Sequence, residues 1–338
     1  MVYRVNRDPI IDNNRTLRVD RMRVGSFSKR FFFQGSTSGY VSGGNGAGPY
    51  NVQNIIQKFP FATFVQSSNI ADLTQSRNYG SGQSSEDNGY TSGGQISPEG
   101  TVTNVIDKFP FSSNDNATDV GDLTVAKGGA AGQSTGSNGY VTGGTAPPGG
   151  GNSPADAINT IEKFPFSSDA NATDVGDLTA VKSTNAGQSS ETHGYTSGGV
   201  PFYFYNPNQL NIIDKFPFAT DANATDVGDL TVARGKTAGQ SSTTHGYTSA
   251  GGSGGGAQTV NNIIDKFAFA ADANASDVGD LTVARYGVSG QSSTTSGYTS
   301  GGQQSGNTID KFPFSSDANA TSAGSLFNGL EATTGQQV

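Results

Sequence analysis

The sequence predicts an all-β fold, a six-bladed β-propeller of four-stranded blades with an extended N-terminal arm, on three observations. A KFPF core, KFAF in one copy, recurs with its lysine at Lys58, Lys108, Lys163, Lys215, Lys266 and Lys311, at spacings of 50, 55, 52, 51 and 45 residues. A Gly-Tyr step followed by Val or Thr keeps the same rhythm at Tyr40, Tyr90, Tyr140, Tyr195, Tyr247 and Tyr298. Diglycines and runs of alternating character divide each unit into short extended segments. A period near 50 residues belongs to arrays in which one unit cannot bury its apolar face alone, so the chain is one array.

The cleanest copy is residues 211–252, NIIDKFPFATDANATDVGDLTVARGKTAGQSSTTHGYTSAGG. In residues 211–218, Ile213, Lys215 and Pro217 alternate with Ile212, Asp214, Phe216 and Phe218, the pattern of a half-buried strand. Residues 221–229 are small and polar and read as a connection; residues 230–233 resume with strand formers. Residues 238–242 and 246–249 form two further runs, with Thr243, Thr244 and His245 as a hairpin turn. Four strands per unit is the count of a propeller blade.

The order DLTVAR, GQSS, GYTSAGG, a variable loop and then NIIDKF resembles the kelch repeat, and the resemblance spans residues 31–338. Kelch repeats usually carry a tryptophan after the third strand, and this chain contains none. Leu123, Leu178, Leu230 and Leu281 are the residues that could fill that space.

Composition narrows the function classes. Gly contributes 48 of 338 residues and the apolar fraction is 33 %, a level often met in disordered chains; here Phe, Tyr, Ile and Leu recur in register, as thin cores between blades require. With no cysteine, disulfides and thiolate metal sites are excluded. There is no apolar run near 20 residues and no signal-peptide core, so neither secretion by a cleaved signal nor a membrane-spanning segment is expected.

Charge is placed unevenly. Residues 1–30 hold eight Lys/Arg against three Asp, a balance of +5, which leaves −13 of the total −8 on residues 31–338. The expected organisation is therefore a basic docking arm, residues 1–30, and an acidic ring, residues 31–338. Arg15, Arg18, Arg21 and Arg23 are its candidate docking residues; a solvated arm is the plainer reading, and nucleic acid is disfavoured because the charges are mixed and lack interleaved aromatics. The phrase PIIDNNRTL at residues 9–17 resembles leaders on structural proteins of tailed bacteriophages, particularly marine ones.

The two ends suggest closure. Gly335-Gln336 copies the GQ motif with no Gly-Tyr strand after it, so a C-terminal strand is expected to complete the first blade and remove an exposed edge. Residues 31–38 compete with residues 332–338 for that place; the C-terminal segment keeps the motif, and Phe31 to Phe33 are expected to pack against the ring or the arm.

Loops after the diglycines differ between copies (residues 45–53, 95–103, 145–158, 200–210, 253–261 and 303–306), whereas the TDANATDVGD-type connection hardly changes from the second to the fifth copy. Alternate connections of an up-and-down blade lie on opposite faces, so one face should be variable and suited to binding. Phe202, Tyr203, Phe204 and Tyr205, in a Pro-flanked loop, together with Tyr50, are its candidate partner-binding residues, aromatics being favoured anchors. A loop folded onto its own blade explains them equally well.

Chemistry finds little support. Asp221, Asn223, Asp226 and Asp229 are hard oxygen donors, but they do not match the EF-hand spacing, and such residues also cap turns. The five Asn-Ala-Thr/Ser sequons in these loops read as turn chemistry. His193 and His245 stand where other copies have Ser38, Asn88, Asn138 and Ser296, which marks a turn residue. No Ser-His-Asp set, P-loop or metal-spaced histidine pair appears. Lys215-type and Arg234-type cations are expected to pair with Asp214 or Asp229 types, at about 0–1 kcal/mol each if exposed.

The expectation is a non-enzymatic protein without cofactor or metal. The leader resemblance implies a virion structural or adhesion component of a tailed phage, a tail fibre, tail-associated or capsid-decorating protein assembled in host cytoplasm. Its partners would be other virion proteins through the arm, and a host-surface glycan or protein or a neighbouring subunit through the loops. A homo-oligomer stays open. A cellular kelch-type interaction module and a carbohydrate-active propeller enzyme are the alternatives.

Overall fold

The computed structural model describes residues 33–47, 51–96, 101–146, 157–201, 208–253, 259–304 and 306–338, together with the backbone pairing of Ile10–Ile11 with Leu17–Arg18. Two compact units divide the chain, Met1–Arg30 and Phe31–Val338. Of the candidate residues, Phe202, Tyr203, Phe204, Tyr205, Tyr50, Arg15, Arg21 and Arg23 lie outside the described residues, and Arg18 is described only by its ladder with Ile10.

Within residues 31–338 the six units form six blades of four antiparallel strands, the sixth with the short strand Val65–Gln66 added in parallel to its outer strand Thr321–Ser325, and no helix occurs among the described residues. The fourth blade is typical: its strands run inner to outer as Ala186–Ser189, His193–Ser197, Ile212–Pro217 and Thr225–Asp229. The first blade takes its inner strand from the other end of the chain, Thr334–Gln337, which pairs with Ser38–Ser42 in the register Tyr40↔Gln336. The C-terminal strand thus closes the ring. Phe33 is buried, and Gln34 donates to the carbonyls of Ser241 and Ser293.

One strand lies elsewhere than the sequence suggested. The outer strand is the polar TDVGD segment, Thr225–Asp229 in the fourth blade, and residues 230–233 are not a strand. In the fourth blade only one edge of this strand is laddered, so it needs no apolar run, and its acids keep the other edge from recruiting another chain. The register skips Val227 between Ile213↔Gly228 and Asp214↔Asp226, a bulge repeated in every blade. Leu230, and with it Leu123, Leu178 and Leu281, is instead a buried plug between blades.

The third strand alternates as expected but is covered on both faces. Ile213 packs with Tyr195, Leu230 and Phe267 on one side, while Phe216 and Phe218 pack with Tyr140 of the preceding blade on the other. Each interface repeats this aromatic trio: Tyr140 meets Phe216 and Phe218 with ring centroids at 5.6 and 4.9 Å, and the ring closes with Tyr298 on Phe59 and Phe61 at 5.8 and 4.6 Å. Tilted and stacked aromatic pairs contribute about 0.5–1.5 kcal/mol each beyond their buried area.

Polar side chains tie the blades as regularly. The glutamine of each GQ motif donates through Nε2 to the tyrosine carbonyl of the next blade: Gln83 to Tyr140, Gln133 to Tyr195, Gln188 to Tyr247, Gln240 to Tyr298, Gln291 to Tyr40 and Gln336 to Tyr90, at 2.9–3.1 Å. Inner strands approach so closely that a Cβ on Gly132 would lie 2.0 Å from the Gly82 carbonyl oxygen, which leaves room only for glycine.

Candidate functional site

The residues that sequence reading offered for chemistry are occupied in holding the ring together. Asn223 Oδ1 accepts from the Asp177 backbone N–H at 3.0 Å, Asp226 from that of Gly228 at 3.1 Å, and Asp221 pairs with Lys163 at 2.5 Å. No cluster of three His, Cys, Asp or Glu suited to a metal occurs among the described residues. His193 and His245 begin second strands beside the inner hairpin turn, where Nδ1 lies 2.8 Å from Thr192 Oγ1 and Thr244 Oγ1 respectively. Burial, and then the neighbouring Lys215 or Lys266, lowers their pKa.

The Arg234-type cations take the Asp214-type acids as expected, whereas the Lys215-type cations take other partners. Lys108, Lys163 and Lys215 pair across blades with Asp169, Asp221 and Asp272 at 2.5 Å, half-exposed, and Lys266 pairs with Asp317 in the same way. Arg234-type cations pair, as expected, with the Asp214-type acid, here that of the next third strand and fully buried: Arg77–Asp107, Lys127–Glu162, Lys182–Asp214, Arg234–Asp265 and Arg285–Asp310. The 0–1 kcal/mol scale of exposed pairs therefore does not apply to them, because an unpaired buried charge costs several kcal/mol. Desolvation lowers the pKa of Arg77, Lys127, Lys182 and Arg234, and the paired acid opposes that shift. In the first blade Gln57 and Leu330 stand where the other blades have acid and cation; Gln57 Oε1 accepts from Phe327 N–H at 2.8 Å, as Asp265 does from Thr231.

A different set of residues surrounds the axis. Because strands alternate in direction, the loop after each diglycine and the link from each outer strand to the next inner strand emerge on one face. On that face six residues, one per link, form a closed circle of backbone hydrogen bonds: Tyr79 N–H to Ala332, Gly129 to Tyr79, Thr184 to Gly129, Lys236 to Thr184, Gly287 to Lys236 and Ala332 to Gly287, at 2.6–3.0 Å. All six are left-handed, with φ between 51° and 69°. That conformation suits glycine, yet Tyr79, Thr184, Lys236 and Ala332 adopt it, at about 1–2 kcal/mol each.

Inside the circle lies a hollow of about 70 Å³, lined among others by Tyr79, Thr184, Asn185, Lys236 and Thr237. Burial pushes the Lys236 ammonium down to about 8, with Glu331 opposing, and its Nζ sits 4.8 Å from the centre of the Tyr286 ring. Farther along the axis the inner glycines narrow the channel; beyond them Phe33 lines its other end. Sequence reading missed this site, although a signal was present. Between the cation, replaced by Leu330 in the last copy, and the GQ, the copies read NYGS, GGAA, STNA, GKTA, YGVS and EATT, three variable residues followed by a small one.

These features define a class, the six-bladed β-propeller, with one variable, open mouth on its axis. No protein-family model matches the chain and no curated protein matches it. Among solved structures the chain is similar to that of YjhT, with a TM-score of 0.64 at 13 % identity over 82 % of this chain and 92 % of that one. At that identity the likeness shows the fold alone. No helix among the described residues is long and apolar enough to cross a membrane.

Proposed function

We infer that the protein is a non-enzymatic binding component, a kelch-like propeller that grips a partner with its variable face while its basic arm attaches it to a larger assembly. The observation that carries this reading is the employment of the repeat-periodic charges: buried pairs such as Lys182–Asp214 and rim pairs such as Lys215–Asp272 spend them on blade-to-blade ties. Paired carboxylates for acid-base work would have to come from outside that set.

The assembly proposed is a tailed-phage virion. Support comes from the leader at residues 9–17, which resembles those of phage structural proteins, and from the opposite charge of the two parts, +5 and −13. In this reading the arm meets other virion proteins, and the loops meet a host-surface glycan, a host protein or a neighbouring subunit. Deleting residues 1–30 tests it: incorporation into particles should be lost while the ring melts at an unchanged temperature. Unimpaired incorporation, or turnover of a glycan by the intact chain, would overturn it.

A further inference from the structure

The circle at the axis mouth holds polar groups that the fold itself leaves unused. Thr184 Oγ1, Thr237 Oγ1 and both amide atoms of Asn185 are buried and have no hydrogen-bond partner, though the three side chains line the hollow. Thr184, Asn185 and Thr237 are 6, 6 and 7 % exposed, so bulk water does little to compensate them. A buried hydroxyl or amide without a partner is costly. In the fifth and sixth links the corresponding hollow-lining residues include Gly287, Val288 and Ala332, which bring no such groups. The unused donors and acceptors are therefore concentrated on one arc of the mouth, on two neighbouring links.

The backbone gives an independent sign. Thr184 is β-branched and left-handed at φ 52°, and its counterparts in two other links, Gly129 and Gly287, show that glycine satisfies the same hydrogen-bonded circle. A strained residue that the circle does not require suggests a duty for its side chain.

The geometry points to the axis mouth as a binding site for one neutral, polyhydroxylated ring, a sugar residue, held by Thr184, Asn185 and Thr237. Sugar hydroxyls both donate and accept, as an amide and two hydroxyls require. The hollow of about 70 Å³ holds a few water-sized groups at roughly 10–15 Å³ each, enough for one edge of a ring. An anionic sugar is disfavoured because the ring around the site carries −13, and the nearby Glu331 carboxylate offsets the charge of Lys236, the one cation among the described residues lining the hollow. This inference rests on the reading of that face as the gripping face and assigns it a ligand class.

The test uses the full chain and a panel of neutral monosaccharides, glucose, galactose, mannose and N-acetylglucosamine, with glucuronic acid as the charged comparator. Neutral disaccharides of the same sugars separate a free sugar from a glycan terminus. Binding is read by saturation-transfer NMR and titration calorimetry. At least one neutral sugar should bind, and the shape-matched Thr184→Val, Asn185→Leu, Thr237→Val variant should weaken it at least tenfold. The same variant should melt no lower than the parent, because it removes polar atoms that have no partner.

Binding of glucuronic acid alone, no binding by the panel, unchanged affinity in the variant, or a fall in its melting temperature would each overturn the inference. Particle incorporation by the variant keeps the two readings apart: incorporation with sugar binding absent sinks only the sugar site, whereas failure of arm-dependent incorporation in the parent sinks the proposed function.

Discussion

Tyr195 meets several demands with one side chain: it stacks on Phe269 at 4.8 Å, meets Phe267 at 5.5 Å and gives its carbonyl to Gln133. Burial moves the phenols of Tyr40, Tyr90, Tyr140, Tyr195 and Tyr247 up from 10.0 to about 12. A folded-state pKa above the unfolded one means that the native state holds its protons longer. That stability is complete below pH 10 and is lost between pH 10 and about 12. Lys127 and Lys182, lowered by burial, act in the opposite sense only while the unfolded chain still titrates, below and around 10.5. The melting temperature should thus fall steeply above pH 10, with tyrosinate absorbance appearing together with loss of the β-sheet dichroism. Tyrosinate that forms while the fold persists would contradict it. At this scale the sequence was partly legible: the Tyr and KFPF markers were visible, but their pairing across blades was not, because the partners stand far apart in the chain.

The third strand shows how an element can be read correctly and still be misjudged. Its period-2 pattern fixed which residues share a face, but alternation of this kind usually means one wet face, and here neighbouring blades cover both. Asp214 is therefore fully buried and needs Lys182, 2.7 Å away. Lys182→Ala should cost about 3–5 kcal/mol, since it strands a buried carboxylate. The joint change Lys182→Leu with Asp214→Gln, which copies Leu330 and Gln57 of the first blade, should recover most of that loss. Urea denaturation of the single and double variants measures the coupling; additive losses would show that the pair does not act as a unit. The outer strand was misplaced for a related reason: an edge strand with one ladder needs neither apolar residues nor strong β-formers, so TDVGD carries little signal of its own.

For the molecule as a whole, closure is the decisive contact. Gln336 reaches the Tyr90 carbonyl at 2.9 Å, and the Val338 carbonyl accepts from Ser36, Thr37 and Ser38. Removing residues 334–338 would leave Ser38–Ser42 as an open edge at the centre of the ring. The truncated chain is expected to lose its cooperative melting transition and to associate, as calorimetry and size-exclusion chromatography would show; a monomer that melts like the parent would refute the role given to the strand. By itself the sequence determined the number of blades, the four strands of each, the GQ copy that shuts the ring and the division into a variable and a uniform face. All of these are repeated, and repetition survives in one dimension. The tertiary structure alone decided that the charges are buried between blades, that inner glycines pack backbone to backbone, and that six unlike link residues meet in one circle at the axis. Those are relations between residues of different units, 25 or more positions apart, set by how twisted sheets pack around a common centre.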